Sequence, residues 1–444
     1  MKENRTNLLP IIGIEVHVEL ATKSKMFCGC SAWHFKVKPN THTCPVCLGL
    51  PGALPVPNKK AVDWCLLVGL ALDCKINKES KFDRKNYFYP DLAKGYQISQ
   101  YDMPFCKNGK LKIDHDKEEK TIRINRVHME EDTGKLIHKQ VDGKESTLVD
   151  FNRSGVPLME IVTEPDINSS SQAVSYLKKL QQLIRFIGVS DCDMEKGSMR
   201  CEINVSLSSN LKLPKYKVEV KNINSFKFVS KVIEYEIQRQ KKILLAGKIP
   251  DQETRGFSEK KGITVSQRSK EEAHDYRYFP EPDIPPINFT EKEICKLRQT
   301  LPELPEVKKQ RFIKKYKLSD YEANILTTNQ KKANYIDNLF KLIKPEDFAK
   351  MAKLIINKKV DIEKLKPDEL AAFVKKNQTS KVSDEKIIGE IINKVMQENK
   401  EAVLDYKNGK TEVLGFLIGQ VMKETQGKAD IKIAKKILQE ALAK

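Results

Sequence analysis

The chain has 444 residues and a formal net charge of +19, with 40% hydrophobic and 31% charged residues. This composition is typical of a globular protein with roughly two to four domains. It excludes a chain built around membrane-spanning helices, because no apolar run reaches the roughly 18–20 residues that such a helix needs. Residues 1–9 lack the apolar core of a signal peptide, so we expect a cytoplasmic protein.

The excess of positive charge is typical of proteins with a polyanionic partner, most often nucleic acid. A general lysine bias of the proteome explains the same excess equally well. The charge is unevenly distributed, since residues 291–444 contain 33 Lys and Arg against 23 Asp and Glu, a net charge of +10. The first 290 residues carry the other +9. The last third of the chain is therefore about twice as positive per residue as the rest.

The first 290 residues mix two hydrophobic periods. Alternation over residues 11–20, 121–130 and 199–207 predicts half-buried strands. Residues 61–72 are typical of a buried helix, and the periods of two further segments, residues 171–187 and 225–245, predict amphipathic helices. Because strands and helices are interspersed without βαβ regularity, we predict an α+β body with a largely antiparallel sheet.

Prolines crowd residues 280–305 and mark a break in the pattern. Beyond the break Lys, Glu, Leu, Ile and Ala dominate, which predicts an all-helical tail. We therefore predict three parts: a catalytic body over residues 1–290, a helical domain over residues 291–381 and a C-terminal helical tail domain over residues 382–444.

The three predicted strands each place polar side chains on one face. These are Glu15, His17 and Glu19 of the first strand, His128 and Glu130 of the second, and Arg200, Glu202, Asn204 and Ser206 of the third. A solvated sheet face explains each strand taken singly. Histidine and glutamate two residues apart on rigid strands, however, suit a hard divalent cation such as Mg²⁺.

The loop over residues 191–198 adds three acids, Asp191, Asp193 and Glu195, close to Lys196. Acids beside basic groups are typical of a site that holds a metal ion and a polyphosphate together. The chain has no GxxxxGK[ST] motif and no GxGxxG after a strand, so any nucleotide site is of a non-standard kind.

Two segments, residues 84–102 and 275–283, are dense in aromatic side chains. Amides and tyrosines that converge in a loop can bind a ligand by hydrogen bonds, and aromatic rings can stack on a base. The alternative is a packed loop whose polar groups satisfy one another.

Nine of the ten cysteines lie in the first 201 residues. Cys28 and Cys30 form a CxC pair, and Cys44 and Cys47 follow as a CxxC pair. Four thiolates at this spacing predict a tetrahedral structural zinc site. Buried thiols without a metal are the alternative.

Several long motifs resemble those of one family, the B subunits of tRNA-dependent amidotransferases, which convert misacylated Glu-tRNA(Gln) or Asp-tRNA(Asn) to the amide. In chain order the motifs are GIEVHVEL, CPVCLGLPGALPVPN, RKNYFYPDLAKGYQISQYD, HMEEDTGKL, VDFNRSGVPLMEIVTEPD, DCDMEKGSMRCEINVS, VEVKNINSF, QETRGF and DYRYFPEPD. The end, DYKNGKTEVLGFLIGQVMKETQGKAD, is similar to the family's tail domain. The chain departs from the family at residues 266–271, at Glu202, where Asp is common, and over residues 325–381, which match poorly.

The resemblance implies a reaction and a set of partners. ATP and Mg²⁺ would serve to phosphorylate the side-chain carboxylate of the glutamate or aspartate esterified to tRNA, and ammonia would then attack the acyl phosphate. A glutaminase A subunit would supply the ammonia, and a small C subunit would complete a heterotrimer. Because the tail is helix-rich and basic, we predict that it binds the body of the tRNA; a module for stability or for subunit contact is the alternative.

The resemblance also implies roles for particular residues. Those expected to bind Mg²⁺ are Glu15, His17 and Glu130, with Glu131, Asp193 and Glu202 as further ligands. Those expected to hold ATP, a phosphate or the acceptor end of tRNA are Lys85, Tyr87, Tyr89, Lys94, Arg200 and Asn204. The residues expected to be catalytic are Glu15, His17, Glu130 and Arg200.

Two other interpretations of the sequence remain. A non-catalytic, zinc-stabilised RNA-binding scaffold has no use for carboxylates that face a polyanion, unless a metal intervenes. The related archaeal subunit restricted to Glu-tRNA would carry an inserted domain in the body, and the chain has no stretch long enough for one. Whether the product is Gln-tRNA, Asn-tRNA or both does not follow from the sequence.

Overall fold

The structure is a computed structural model. It describes residues 8–116, 118–210, 212–269, 276–379, 385–425, 429 and 431–443. The chain divides into two compact units, one of residues 1–308 with 327–330 and one of residues 309–326 with 331–444. Within the described ranges, no helix combines the length and the apolar character needed to cross a membrane.

The first unit is built mainly of strands. In chain order they are β1 (Leu9–Glu19), β2 (Lys75–Ile76), β3 (Glu79–Ser80), β4 (Asp83–Asn86), β5 (Tyr96–Ser99), β6 (Cys106–His115), β7 (Glu118–Glu131), β8 (Lys135–Val141), β9 (Lys144–Asp150), β10 (Pro157–Thr163), β11 (Met199–Ser208), β12 (Val218–Ile223), β13 (Glu253–Ser258), β14 (Ile263–Ser269), β15 (Phe279–Pro280) and β16 (Ile287–Asn288). A nine-stranded sheet has the order β14-β13-β12-β11-β1-β10-β7-β6-β2. A three-stranded sheet has the order β15-β4-β5. The pairs β16-β3 and β8-β9 form two separate two-stranded sheets.

Four helices belong largely to this unit: α1 (Lys59–Ala71), α2 (Ser170–Ile187), α3 (Phe226–Leu245) and α4 (Glu291–Gln299). Side chains that precede the first three cap them, since Asn58, Ser169 and Ser225 each accept a hydrogen bond from a backbone N–H of the first turn. The apolar sides of these helices join the inward residues of β1 in one buried core. One face of the large sheet is thereby covered, and its other face is left to polar residues.

The predicted α+β class with a largely antiparallel sheet is confirmed. Every neighbouring pair in the large sheet is antiparallel except β12 and β13. These two run parallel because α3 connects them, so the chain crosses over the sheet before it returns. The sequence prediction included α3 but not this crossover.

Residues just beyond the proline-rich break still contact the body. Ile294 and Leu297 of α4 pack against the core that contains α1. The division at residue 290 stays a prediction, and the division at 381–382 falls outside the described residues.

Within its described residues, the named elements of the second unit are all helices, as predicted for the tail. Its helices are α5 (Pro305–Tyr316, which begins in the first unit), α6 (Asp320–Leu326), α7 (Gln330–Phe340, likewise), α8 (Phe348–Ile356), α9 (Pro367–Thr379), α10 (Glu385–Glu398), α11 (Lys400–Lys407), α12 (Val413–Glu424) and α13 (Ile431–Leu442). Two separate apolar cores hold them, one within residues 312–374 and one within residues 388–442. The tail therefore consists of two small helical clusters.

Candidate active-site face and cysteine cluster

The register of the large sheet places polar side chains side by side on the face opposite the helices. His17 of β1 lies opposite Glu160 of β10 on one side and opposite Arg200 of β11 on the other. Glu160 in turn lies opposite His128 of β7. Glu130 follows two residues later on the same side of β7. Residues that are far apart in sequence thus form one row.

The first cluster in this row joins an imidazole to two carboxylates. His17 Nε2 lies 3.6 Å from Glu130 Oε1 and 3.5 Å from Glu160 Oε2. His128 Nε2 lies 3.2 Å from the same Glu160 oxygen. Ligand atoms of His17, Glu130 and Glu160 all fall within 4.8 Å of one another. One nitrogen and several carboxylate oxygens at this spacing fit a hard divalent cation.

A second cluster lies beside it and is made of carboxylates alone. Glu15, Glu202 and Glu219 have oxygen atoms within 4.8 Å of one another. Lys221 Nζ lies 2.8 Å from Glu202 Oε2, and Asn204 Nδ2 donates a hydrogen bond of 2.8 Å to Glu15 Oε1. Glu15 and His17 are neighbours on one side of β1, so this strand connects the two clusters.

Two effects, burial and the charges of neighbouring groups, determine the pKa values on this face. Burial opposes a charge on His17, but the carboxylates of Glu160 and Glu130 outweigh it and raise the pKa of His17 to about 9. Burial would likewise raise the pKa of Glu160, but the two histidines hold it well below its usual range. Burial raises the pKa values of Glu130 and Glu15, with repulsion from Glu160 adding to it. The protonation state of each acid and base on this face therefore depends on the charges of its neighbours.

An aromatic group with one lysine lies beside Glu130. Lys85 of β4 has its Nζ 4.8 Å from the ring centre of Tyr276 and 5.7 Å from that of Tyr87. Burial opposes a charge on Lys85, but the Glu130 carboxylate and the neighbouring tyrosines together outweigh it and raise the lysine's pKa. Tyr278 stacks on Tyr101 at a centroid distance of 4.4 Å. These aromatic residues come from the two segments in which the sequence predicts ligand-binding loops, although Asp275 lies outside the described residues.

Arg200 of β11 lies opposite His17 of β1, and its guanidinium reaches the residue that follows the end of β7. Its guanidinium contacts the Asp132 carboxylate, and Glu19 in the same region lies 3.0 Å from His34 Nε2. Within the described part of the chain, three buried polar atoms on this face have no hydrogen-bond partner: His128 Nδ1, Arg200 Nε and Asn204 Oδ1. Buried polar groups are rarely left in this state, so these atoms are suited to bind a ligand.

The structure does not bring every predicted residue to this face. Glu131 follows Glu130 and therefore points to the other side of β7, where it contacts Lys94 and accepts a hydrogen bond from Ile98 N. Asp193 lies in a turn, and its Oδ1 accepts hydrogen bonds of 3.0 Å and 3.3 Å from two backbone N–H groups of that turn. Tyr89 is 59% exposed.

Two residues of the clusters were not selected from the sequence, Glu160 and Glu219. Glu160 is the single charged residue in the otherwise apolar strand PLMEIVT, and an isolated charge in a buried strand was a usable signal. Glu219 alternates with Val218 and Val220, so its side was predictable. Its neighbours were not, because they depend on the pairing of β12 with β11.

The four cysteines of the predicted zinc site converge. The sulfur atoms of Cys28, Cys30, Cys44 and Cys47 lie within 4.8 Å of one another. Cys47 Sγ accepts a hydrogen bond of 3.2 Å from Cys44 N, and the hydrogen bond from the Cys28 thiol outweighs burial to lower the pKa of Cys47 to about 4. Four converging sulfurs with a backbone donor fit a tetrahedral zinc ion.

Gly155 connects the cysteine cluster to β7. Its N–H donates to Asp132 O at 2.8 Å, and its carbonyl accepts from Met26 N at 2.7 Å. The residue has a φ of +84°, and a Cβ atom there would lie 3.4 Å from Cys47 Cβ. The cluster thus packs directly against the loop that precedes β10.

Comparison with known proteins supports the resemblance seen in the motifs. A family model described as the GatB/GatE catalytic domain matches residues 10–295, and one described as the GatB domain matches residues 314–442. Curated relatives named as B subunits of aspartyl/glutamyl-tRNA(Asn/Gln) amidotransferase are 45% identical in Caldicellulosiruptor saccharolyticus and 47% identical in Thermosipho melanesiensis. Each alignment covers 98% of this chain and 99% of the relative. A relative of the same name in Thermotoga maritima is 43% identical, with 98% of each chain covered.

These matches define the class first: the chain is a component of an aminoacyl-tRNA amidotransferase, a ligase that forms carbon–nitrogen bonds. Within that class it belongs to the family of the B subunits, as its two family matches and its near-complete alignments show.

Proposed function

We propose that the chain uses ATP to phosphorylate the side-chain carboxylate of Glu-tRNA(Gln), Asp-tRNA(Asn) or both, and then forms the amide with ammonia. The observation that carries the proposal is the polar face of the large sheet, where two carboxylate clusters adjoin Lys85 and Arg200. Carboxylates that face a polyanionic substrate are useful only if a cation mediates the contact, which favours catalysis over a passive RNA scaffold.

The chemistry needs positioning and charge neutralisation above all. A carboxylate is a poor electrophile, and phosphorylation gives it a leaving group. The protein then has little covalent chemistry to perform. Its contribution is to align the two substrates and to neutralise the developing charge. Mg²⁺, when bound, supplies further charge neutralisation at the phosphoryl oxygens. The carboxylate-rich donor sets of the two clusters fit this ion, with His17, Glu130 and Glu160 as one set and Glu15, Glu202 and Glu219 as the other.

Arg200 and Lys85 are the cations best placed to bind phosphate. Asp132 holds one end of the Arg200 guanidinium and leaves its Nε free of protein partners within the described residues. Lys85 is fixed between two tyrosine rings beside Glu130. Both side chains are thus oriented before the substrate binds, which lowers the cost of binding. Roles for Lys94 and Tyr89 in ligand binding, and for Glu131 and Asp193 in metal binding, stay predictions.

A structural zinc ion in the four-cysteine cluster belongs to the same proposal. The convergence of the sulfurs supports it. Such a closed site leaves no open position for substrate, so its contribution is to fold the segment from Cys28 to Cys47.

We further propose that the ammonia comes from a partner glutaminase and that a small third chain completes the enzyme. The relatives are named as B subunits, which supports an assembly of several chains. Ammonia released from glutamine by the partner would then attack the acyl phosphate that is formed at the sheet face.

The test of the reaction is substitution of His17 and of Glu130 by alanine. The full-length chain, assembled with its partner subunits, would be assayed with ATP, an ammonium salt, and Glu-tRNA(Gln) and Asp-tRNA(Asn) in parallel. The ammonium salt removes the need for glutamine hydrolysis, so a lost activity reports on this chain. We expect both variants to fold and to lose amide formation and tRNA-dependent ATP consumption.

The matched control is Glu195→Ala, which removes an exposed acid of the turn at residues 191–198. It should retain full activity. Full activity in either His17→Ala or Glu130→Ala would refute the assignment. A wild-type enzyme that consumes no ATP on misacylated tRNA would favour the scaffold instead.

The helical tail is proposed to bind the body of the tRNA through its phosphates. Lys435 and Lys436 are exposed on α13, and Lys139 and Lys144 are exposed on the β8–β9 hairpin. Replacing the first pair by glutamine should weaken tRNA binding and flatten the plot of log K against log salt by roughly 0.7–0.9 per lost phosphate contact. The second pair, replaced likewise, removes the same charge from the body. Equal effects of the two pairs would show that total charge, not the tail, governs binding.

A further inference from the structure

Lys25 is a charged residue that is fully buried beside the cysteine cluster. Its side chain has 0% exposure. Its Nζ lies 2.7 Å from His42 O, 3.3 Å from Phe151 O and 3.5 Å from Cys47 Sγ. An ammonium group has three N–H donors, so each donor has one acceptor.

Only one of the three acceptors can carry a full negative charge, and that is the sulfur of Cys47. A buried ammonium ion is costly unless an opposite charge compensates it. Among the described residues, no carboxylate oxygen lies within 4.0 Å of Lys25 Nζ. The burial of Lys25 therefore makes sense if Cys47 is a thiolate, as it is when it binds a metal.

The backbone of Lys25 is fixed to the other cysteine pair. Its N–H donates to Cys30 O at 2.9 Å, and its carbonyl accepts from Asn58 Nδ2 at 3.2 Å. The residue thus contacts the CxC pair through its main chain and the CxxC pair through its side chain. Its contact with Phe151 O links both pairs to the end of the β8–β9 hairpin.

We propose that Lys25 is a positioning residue of the zinc site, which donates a hydrogen bond to the Cys47 thiolate and offsets the excess negative charge of four thiolates around a divalent ion. The inference rests on the zinc part of the proposed function. Outer partners of this kind fix the orientation of a ligand and tune its affinity for the metal. The competing explanation is that Lys25 merely ties His42 O to Phe151 O.

The test is Lys25→Met in the full-length chain, with Lys25→Gln as a second variant. Methionine keeps the length of the side chain without donors or charge, and glutamine keeps amide donors without charge. Ser154→Ala is the structural comparison, since Ser154 Oγ donates to Cys47 O at 3.2 Å and leaves the sulfur untouched. Lys23→Met is the surface control, because Lys23 is exposed.

Zinc affinity would be measured by competition with a chelator, and the sulfur-to-metal charge-transfer band would be recorded after substitution of Co²⁺ for zinc. We expect both Lys25 variants to bind zinc about 10–100-fold more weakly and to shift the band. Ser154→Ala and Lys23→Met should leave the band in place. The band distinguishes the two explanations, because loosening of the loop alone does not change the donor on the sulfur.

The inference is overturned if the Lys25 variants fold, as judged by circular dichroism, and keep both wild-type zinc affinity and the wild-type band. It is also overturned if the wild-type chain binds no zinc, and that result refutes the structural-zinc proposal as well. Neither result affects the reaction proposed for the sheet face, which the His17 and Glu130 variants test separately.

Discussion

The carboxylate face and the cysteine cluster hold their reactive groups by different means. On the face, the groups come from separate strands, and Glu160 lies 143 positions from its partner His17. Acids there have cations within reach, as Glu160 has two histidines and Glu202 has Lys221. In the cluster, four sulfurs come from a single short segment, and one buried lysine contacts one of them, that of Cys47.

The difference indicates which of the two regions keeps its structure without a metal ion. Strand pairing and compensating charges hold the face in place whether or not a cation is bound. The cluster has few strand contacts in its own segment, and its thiolates repel one another unless a metal compensates them. We therefore expect the face to be preorganised and the cluster to depend on its ion.

The largest effect is expected from Glu160→Gln. The substitution keeps the shape of the side chain but removes the charge that both histidines face, so the first cluster loses a ligand and its charge balance. We expect ammonium-dependent amide formation to fall by at least about 100-fold. The measurement is kcat/KM with each misacylated tRNA.

Glu219→Gln, in the second cluster, is the comparison for this variant. Glu219 is half-buried, and Thr254 Oγ1 donates to it at 2.9 Å. We expect a smaller loss, of about tenfold. Equal losses would show that the two clusters act as one site, and no loss in Glu160→Gln would exclude the first cluster from the reaction.

An intermediate effect is expected from removal of zinc. Treatment of the full-length chain with a strong chelator should lower Tm by roughly 3–5 °C, equivalent to about 2–3 kcal/mol in a unit of this size. Limited proteolysis should then cut between the two cysteine pairs, within residues 31–43. Calorimetry and mass spectrometry of the fragments provide the readouts. Unchanged Tm and unchanged cleavage would mean that the segment is held without an ion, as the face is.

The smallest effect is expected from Tyr101→Ala. Tyr101 is 62% exposed and stacks on Tyr278, so its loss removes a contact of about 0.5–1.5 kcal/mol. The aromatic group beside Lys85 should become less rigid, and KM for tRNA or ATP should rise several-fold while kcat changes little. Tyr101→Phe keeps the ring and serves as the control. A fall in kcat without a change in KM would place Tyr101 closer to the reaction than the stack implies.

The cysteine cluster was predictable from sequence because short spacing alone brings its members together. The face was predictable in part, since period-2 alternation selects Glu15, His17 and Glu130 within single strands. Glu160 and Glu219 required the pairing of strands that are distant in sequence, and that register is not visible in either strand alone. The same alternation, applied strictly, would have separated Glu131 from Glu130.

The prediction of the fold from the sequence is limited in the same way. Helices such as α2 were predictable because their apolar stripe and caps are local features. The parallel pair β12 and β13 was not, because it arises from where α3 returns the chain to the sheet. Local periods therefore predict elements, and long-range pairing decides how they combine.

The contrast between the two regions has a consequence for the substitutions that Gly155 tolerates. This residue has no chemistry of its own, yet the space where its side chain would stand is bounded by Cys47, Lys25 and Glu131. Any other residue would strain this left-handed backbone, although its Cβ atom would make only ordinary contacts with these three neighbours. In a saturation mutagenesis screen for function, we expect Gly155 to tolerate as few substitutions as the four cysteines.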